Sequence, residues 1–100
     1  MIEWEQVESF DWDDRNARKS TDKHSVSKSE AEQVFFNEPL LVLQDAAHSQ
    51  SEPRYHALGK TEQGRLLHVT FTLRFQQTRI RIISARPMSR KERIIYAQAT

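Results

Sequence analysis

The densest chemistry in this 100-residue sequence lies between Arg79 and Arg93, where Arg79, Arg81, Arg86, Arg90, Lys91 and Arg93 stand against Glu92 alone. Arginine's planar fork binds two oxygens of a phosphate at once, so this density suits a phosphodiester ligand. Pro87 pushes Arg86 to extended geometry at a strand tip, and Ser89 opens a helix shortly after it. A helix start offers free amides and the positive end of the dipole, which makes a site for a phosphate between Arg86, the amides after Ser89, and Arg90. The competing reading is a solvated strand and helix whose charges serve solubility. Strict alternation puts Arg86 on the side of Ile80 and Ile82, and a bulge would shift that phase; both stay open.

Other chemistries are poorly served. His24, His48, His56 and His68 show no paired metal-ligand spacing, so no metal site is expected. There is no cysteine, hence no thiolate and no disulfide framework, as suits a reducing cytoplasm. Only two glycines are present, and neither a glycine-rich phosphate loop nor a nucleophile elbow can be found, so no cofactor is expected. His24 follows Lys23 at a helix end, where a cationic imidazole either caps the dipole or, with a free pKa near ~6.5, serves as acid or base. His68 alternates with apolar residues on a strand and reads as a surface position. Trp4, Trp12, Tyr55 and Tyr96 either stack on bases or pack, with packing favoured for Trp12.

Charge is divided along the chain. Residues 1–52 carry 12 acidic and 5 basic side chains, a sum of −7, and residues 53–100 carry 2 and 10, a sum of +8. Either the halves mix and their fields cancel, or a basic face meets an anion while the acidic half stays away. No apolar run approaches the roughly 18 residues a membrane span needs, and the acidic start lacks a basic leader region, so a cytoplasmic protein is expected.

The elements that must position these groups are legible in outline. At 37% hydrophobic residues the chain supports one modest core, hence a single domain over 1–100 with 1–9 as a lead-in. An edge strand is possible around Phe10–Trp12. Asp13 or Asp14 caps a polar first helix reaching about Lys23. Ser27-Lys28-Ser29-Glu30 is a capping box, with Val26 and Ala31 as a hydrophobic staple, and opens a second helix to about Asn37. Leu40–Gln44, Arg54–Gly59, Leu67–Phe75 and Arg79–Arg86 read as four strands, the third with the clearest period-2 alternation. Ser89-Arg90-Lys91-Glu92 is a second capping box and opens the closing helix. The expected class is α+β: an antiparallel meander of about four strands with its helices segregated to one face.

Several blocks, in this order and spacing, resemble the BrnT toxin family. They are Phe10-Asp11-Trp12-Asp13, then Lys23-His24-Ser25-Val26-Ser27 with Glu30-Ala31, then Glu52-Pro53-Arg54-Tyr55 with Gly59. Gly64 to Val69, Arg79 to Arg86, and Ser89 to Arg93 with Tyr96 complete the likeness over residues 10–96. The resemblance implies a RelE-like fold and a metal-independent ribonuclease toxin that uses the 2′-hydroxyl of RNA as nucleophile. It implies a BrnA-type antitoxin partner with a ribbon-helix-helix DNA-binding domain. It places catalytic roles on Lys23, His24, Arg54 and Arg86, with Glu52 a weaker candidate base, and further functional positions on Arg93 and Tyr96; with Arg79, Arg81 and Arg90 of the basic cluster these are the expected RNA contacts. The sequence departs from the family pattern at Asn16, Ser20 and Ser25, where lysine, asparagine and glycine are usual. The alternatives are a catalytically silent homologue that still binds its antitoxin, and a nucleic-acid-binding module without cleavage.

Overall fold

Three polar side chains start the three helices. Asp13 accepts from the Arg15 amide at the head of α1 (Asp14–His24). Ser27 and Ser89 each accept from the amide of the glutamate three residues on, and that glutamate reaches back, ahead of α2 (Lys28–Gln33) and α3 (Arg90–Gln98). In this computed structural model residues 2, 4–45, 47 and 52–99 are described, so His48 lies outside the described residues. α1 ends where Ser25 turns left-handed at φ 55°, with the amides of Ser25 and Val26 on the carbonyls of Thr21 and Ser20 at 3.0 and 3.2 Å. α2 tightens into a 3-10 turn at Val34–Phe36, sooner than the expected run to Asn37.

The strands are β1 (Ser9–Trp12), β2 (Leu41–Gln44), β3 (Arg54–Lys60), β4 (Leu66–Arg74) and β5 (Arg79–Pro87). They form a five-stranded sheet in the order β1-β5-β4-β3-β2. The expected four-stranded meander covers β2 to β5, whose pairs are antiparallel. The edge strand read around Phe10–Trp12 is found as β1, and it corrects the all-antiparallel reading by adding a fifth strand parallel to β5, which makes the sheet mixed. The cause is a pairing between distant parts of the chain: Asp11 lies opposite Arg81 in register, and their side chains meet at 3.0 Å. No local hydrophobic period carries that information. The RelE-like arrangement is met only at the level of an α+β sheet with flanking helices.

Two faces of the sheet do different work. On the first, Val26, Ala31 and Val34 pack against Ala57, Leu67, Val69, Phe71, Ile80, Ile82 and Ala85, all essentially removed from solvent. Burying a side chain the size of Phe71 is worth roughly 1.5–3 kcal/mol. Gly59 is required here, because a Cβ would come within 2.7 Å of Val34 Cγ1. The lead-in joins this core: Trp4 packs on Phe35 and Phe71, with ring centroids 6.1 and 6.3 Å away. On the second face α3 covers only one end, through Tyr96 and Met88 against Leu58. The helices are thus divided between the faces, not gathered on one as expected. The rest of the second face carries mostly polar residues, with exposed Leu43 of β2 opposite His56.

A bulge fixes which face Arg86 joins. Thr70 pairs with Ser84 while Phe71 pairs with Ile82, so Ile83 is an extra residue in β5. Ile82 and Ala85 therefore both point to the core, and Arg86 falls opposite His68 on the polar face with Arg81.

Candidate active site

The part of the second face beside α3 is built from three cross-strand rows, whose β4 members Thr72, Thr70 and His68, the last read from sequence as a surface position, are buried while their neighbours on β3 and β5 are half-buried except buried Leu58. Arg54, Thr72 and Arg81 form the first; His56, Thr70 and Ser84 the second; Leu58, His68 and Arg86 the third. Alternation along β3 and β4 sends Tyr55, Ala57, Val69 and Phe71 to the core, so their neighbours face this side. The Thr72 hydroxyl donates to the Pro53 carbonyl at 2.6 Å and pins the start of β3 at Arg54. Arg54 and Arg86 thus stand at opposite corners of a patch whose middle is the His56–Thr70 row.

The two histidines are in contact across β3 and β4, with ring centroids 4.7 Å apart. His56 Nε2 lies 2.9 Å from Asp45 Oδ2 and Nδ1 lies 3.1 Å from Thr70 Oγ1. An ionised carboxylate only accepts, so Nε2 carries the proton and Nδ1 receives the threonine hydroxyl. His68 Nδ1 faces Glu92 Oε2 at 3.6 Å. Burial, and then the charge of Arg86, hold His68 down from 6.5 to about 4, while Glu92 pulls the other way. At neutral pH its ring is uncharged.

Arg86 meets Glu92 fork to fork, Nη1 to Oε1 at 2.8 Å and Nη2 to Oε2 at 2.9 Å. The same carboxylate accepts the Ser89 amide at 2.9 Å. The Arg86 hydrogen bonds, helped by the Ser89 amide and against the pull of burial, bring Glu92 from 4.5 to about 2. At the head of α3, where a phosphate was expected, the Arg86 fork and the Ser89 amide meet the carboxylate of Glu92.

The expected site residues separate. Arg54 and Arg86 lie on the same face of the sheet, at opposite corners of the patch. Lys23 and His24 end α1, which packs on the opposite face, where the Ala85 amide donates to buried Ser20 Oγ at 3.1 Å. His24 and Ser25 offer their carbonyls to Arg65 at 3.3 and 2.7 Å. Glu52 pairs with Arg74 at 2.8 Å. Arg81 is held by Asp11 and Asp13 at 3.0 and 3.5 Å, and Arg79 lies over the Phe75 ring at 4.4 Å. Arg90 and Arg93 are exposed on α3. Tyr96 is corrected as a base-stacking ring: it is buried and donates to the Pro39 carbonyl, anchoring α3.

Sequence reasoning missed His56, His68, Asp45 and Glu92 as members of this cluster. The signal for His68 was present, since alternation pairs it with Thr70 and Thr72 opposite a buried row. For Asp45 there was none, because its place depends on how β2 leaves the sheet. A groove of about 1220 Å³ lies elsewhere, between Phe10, Phe35, Phe36 and Pro39, and contains none of these groups. No three metal-ligating side chains gather among the described residues.

A family model described as the ribonuclease toxin BrnT of type II toxin–antitoxin systems matches residues 12–92. Among solved structures, the Brucella abortus ribonuclease toxin BrnT superposes with a TM-score of 0.65 at 18% identity, covering 84% of this chain and 100% of that one. At that identity the likeness speaks for the fold. No curated protein matches.

Proposed function

The chain belongs to the BrnT family of ribonuclease toxins of type II toxin–antitoxin systems, and on that premise we propose that it cleaves RNA by attack of a 2′-hydroxyl on the adjacent phosphate, without a metal ion. Such a reaction needs cations for the phosphorane, a base for the 2′-hydroxyl and a proton for the leaving 5′-oxygen. Arg54 and Arg86 supply the cations. The observation that carries this reading is the bulge, which turns Arg86 onto the same open face as Arg54 and both strand histidines. Exposed Arg90 and Arg93 extend the positive surface along α3 for the flanking strand. Arg79 and Arg81, at the other end of β5, are peripheral contacts. Lys23 and His24 act from the α1 side, in placing the RNA rather than in the proton transfers.

The partner is an antitoxin of the BrnA type with a ribbon-helix-helix DNA-binding domain, and the site of action is the cytoplasm, where the RNA is. A second reading has one observation in its favour. Glu92 already occupies the Arg86 fork, as in a silent homologue that only binds its antitoxin. Purified protein incubated with single-stranded RNA in EDTA separates the two. Cleavage leaving 2′,3′-cyclic phosphate ends is expected. Cleavage only with added divalent metal overturns the metal-independent mechanism. Intact RNA under every condition, with retained antitoxin binding, establishes the silent homologue.

A further inference from the structure

Asp45, His56 and Thr70 form a chain of carboxylate, imidazole and hydroxyl that nothing in the fold demands. The three come from different segments, the residue just after β2, then β3, then β4, and the two contacts are 2.9 and 3.1 Å. Thr70 is nearly buried, while the His56 side chain keeps 30% of its surface open. A hydroxyl donating to an imidazole whose other nitrogen is fixed by a carboxylate is the arrangement in which an imidazole takes a proton. Arg54 lies two residues before His56 on the same side of β3, and His68, Arg86 and Glu92 border it across β4.

We infer that His56 is the general base of the reaction, with Asp45 as its positioning residue and Thr70 marking the seat of the 2′-hydroxyl. This rests on the ribonuclease reading. An RNA ribose entering the open face puts its 2′-hydroxyl where the Thr70 hydroxyl now donates. The O2′–H bond breaks and its proton moves to His56 Nδ1. The O2′–P bond forms as the P–O5′ bond breaks on the opposite side of phosphorus. The leaving 5′-oxygen takes a proton from water, which the open face admits. Asp45 stabilises the imidazolium through the Nε2 proton until that ring returns its extra proton to solvent. His68, uncharged at neutral pH, walls one side of His56 without adding a second positive charge there.

The test is single-turnover cleavage of a short RNA by the wild-type chain and by His56→Ala, Asp45→Asn and Thr70→Val, with RNA affinity and melting temperature measured on each. His56→Ala loses about 10²–10⁴ in rate, binds RNA as before, and regains part of its rate with free imidazole in the buffer. Asp45→Asn, which accepts the wrong tautomer, loses a comparable factor and alters the pH–rate profile. Thr70→Val, which puts a methyl group at that seat, loses rate by a smaller factor than His56→Ala. Full cleavage by His56→Ala overturns the inference and leaves the ribonuclease reading standing. So does a loss of rate that imidazole never restores while melting temperature and RNA affinity are unchanged. A folding defect in His56→Ala is checked with His56→Gln, whose wild-type rate would equally overturn it. A wild-type chain that cuts no RNA removes both readings together.

Discussion

Two helices of this molecule begin with the same device, and only one of the two beginnings borders the proposed site. α2 opens with Ser27 and Glu30, α3 with Ser89 and Glu92, and in each the serine and glutamate satisfy one another's backbone amides. Each glutamate also takes an arginine from the sheet side: Arg65 on Glu30 at 3.0 Å, Arg86 on Glu92 at 2.8 and 2.9 Å. The surroundings separate them. Arg65 spends its remaining donors on the carbonyls of His24 and Ser25, so it ties the β3–β4 turn to the α1–α2 corner. Arg86 stands on an open polar face, beside a histidine kept neutral, with no other helix end to hold. The motif makes a helix start; the strand beneath decides whether it becomes a clasp or an anion site.

The sharpest way to break that comparison is to remove each arginine. Arg86→Ala takes away a charge-assisted contact to the phosphorane and lowers cleavage by about 10²–10³. Its melting temperature also falls, since Arg86 is the main partner of the Glu92 carboxylate. Arg65→Ala acts on stability alone. It leaves cleavage within a factor of a few and destabilises the fold by about 0.5–1.5 kcal/mol, because Glu30 and the partly exposed carbonyls that end α1 lose a shared donor. Single-turnover rates and thermal melts on both variants check this. Equal effects of the two on rate would show that the α3 start is as purely structural as the α2 start.

The sequence carried much of this contrast but not its deciding term. Both capping boxes, the Asp13 cap and the alternation of β4 follow from local chemistry, and each is found where the residues place it. Arg86 was legible as a phosphate ligand by type and by its position before Pro87. Its face was not, because Ile83 looks like any other strand isoleucine and the bulge arises only when β5 settles against β4. Glu92 read as a cap alone, since nothing local shows that a strand arginine will reach it. The pairing of β1 with β5 and the placement of α3 against Leu58 and Pro39 depend on contacts between distant parts of the chain, beyond any window of period 2 or 3.6.

Acid titration sharpens the comparison further. Glu92 sits near 2 in the fold against an ordinary 4.5, so its stabilisation is complete above 4.5 and is lost as pH falls toward 2. His68 is depressed as well, from 6.5 to about 4, and its sign is the same: stability is full above 6.5 and falls between 6.5 and 4, as the unfolded chain takes the proton first. The α3 start therefore loses stability in two successive windows. Glu92→Gln is expected to cost about 1–3 kcal/mol at pH 7, a difference from wild type that shrinks below pH 4.5. His68→Leu flattens the upper window only. Glu30 is also lowered, chiefly by the Ser27 amide with Arg65 assisting, so Glu30→Gln moves only the acid-side window. Chemical denaturation from pH 7 to pH 3 measures all three, and a His68→Leu curve with the wild-type slope between 6.5 and 4 would refute the assignment.

The smallest effect concerns the residue that joins α1 to the α2 start. Ser25 holds φ 55°, a left-handed conformation that a side chain disfavours and glycine adopts freely. The position must be left-handed, because only then do the Ser25 and Val26 amides reach back to Thr21 and Ser20 and the Ser25 carbonyl face Arg65. Glycine, the family's usual residue at this point, relieves the strain but adds freedom to the unfolded chain, and the two terms partly oppose. Ser25→Gly is expected to raise stability by about 0.5–1 kcal/mol. Cleavage should not change, since the Ser25 side chain belongs to the α1–α2 corner and Arg86 and His56 are on the other face. A melt and a rate measurement on this variant bear on the comparison from its quiet side. A gain in rate without a gain in stability would mean that the α1–α2 corner, with Lys23 and His24, reaches the RNA more directly than the strand geometry allows.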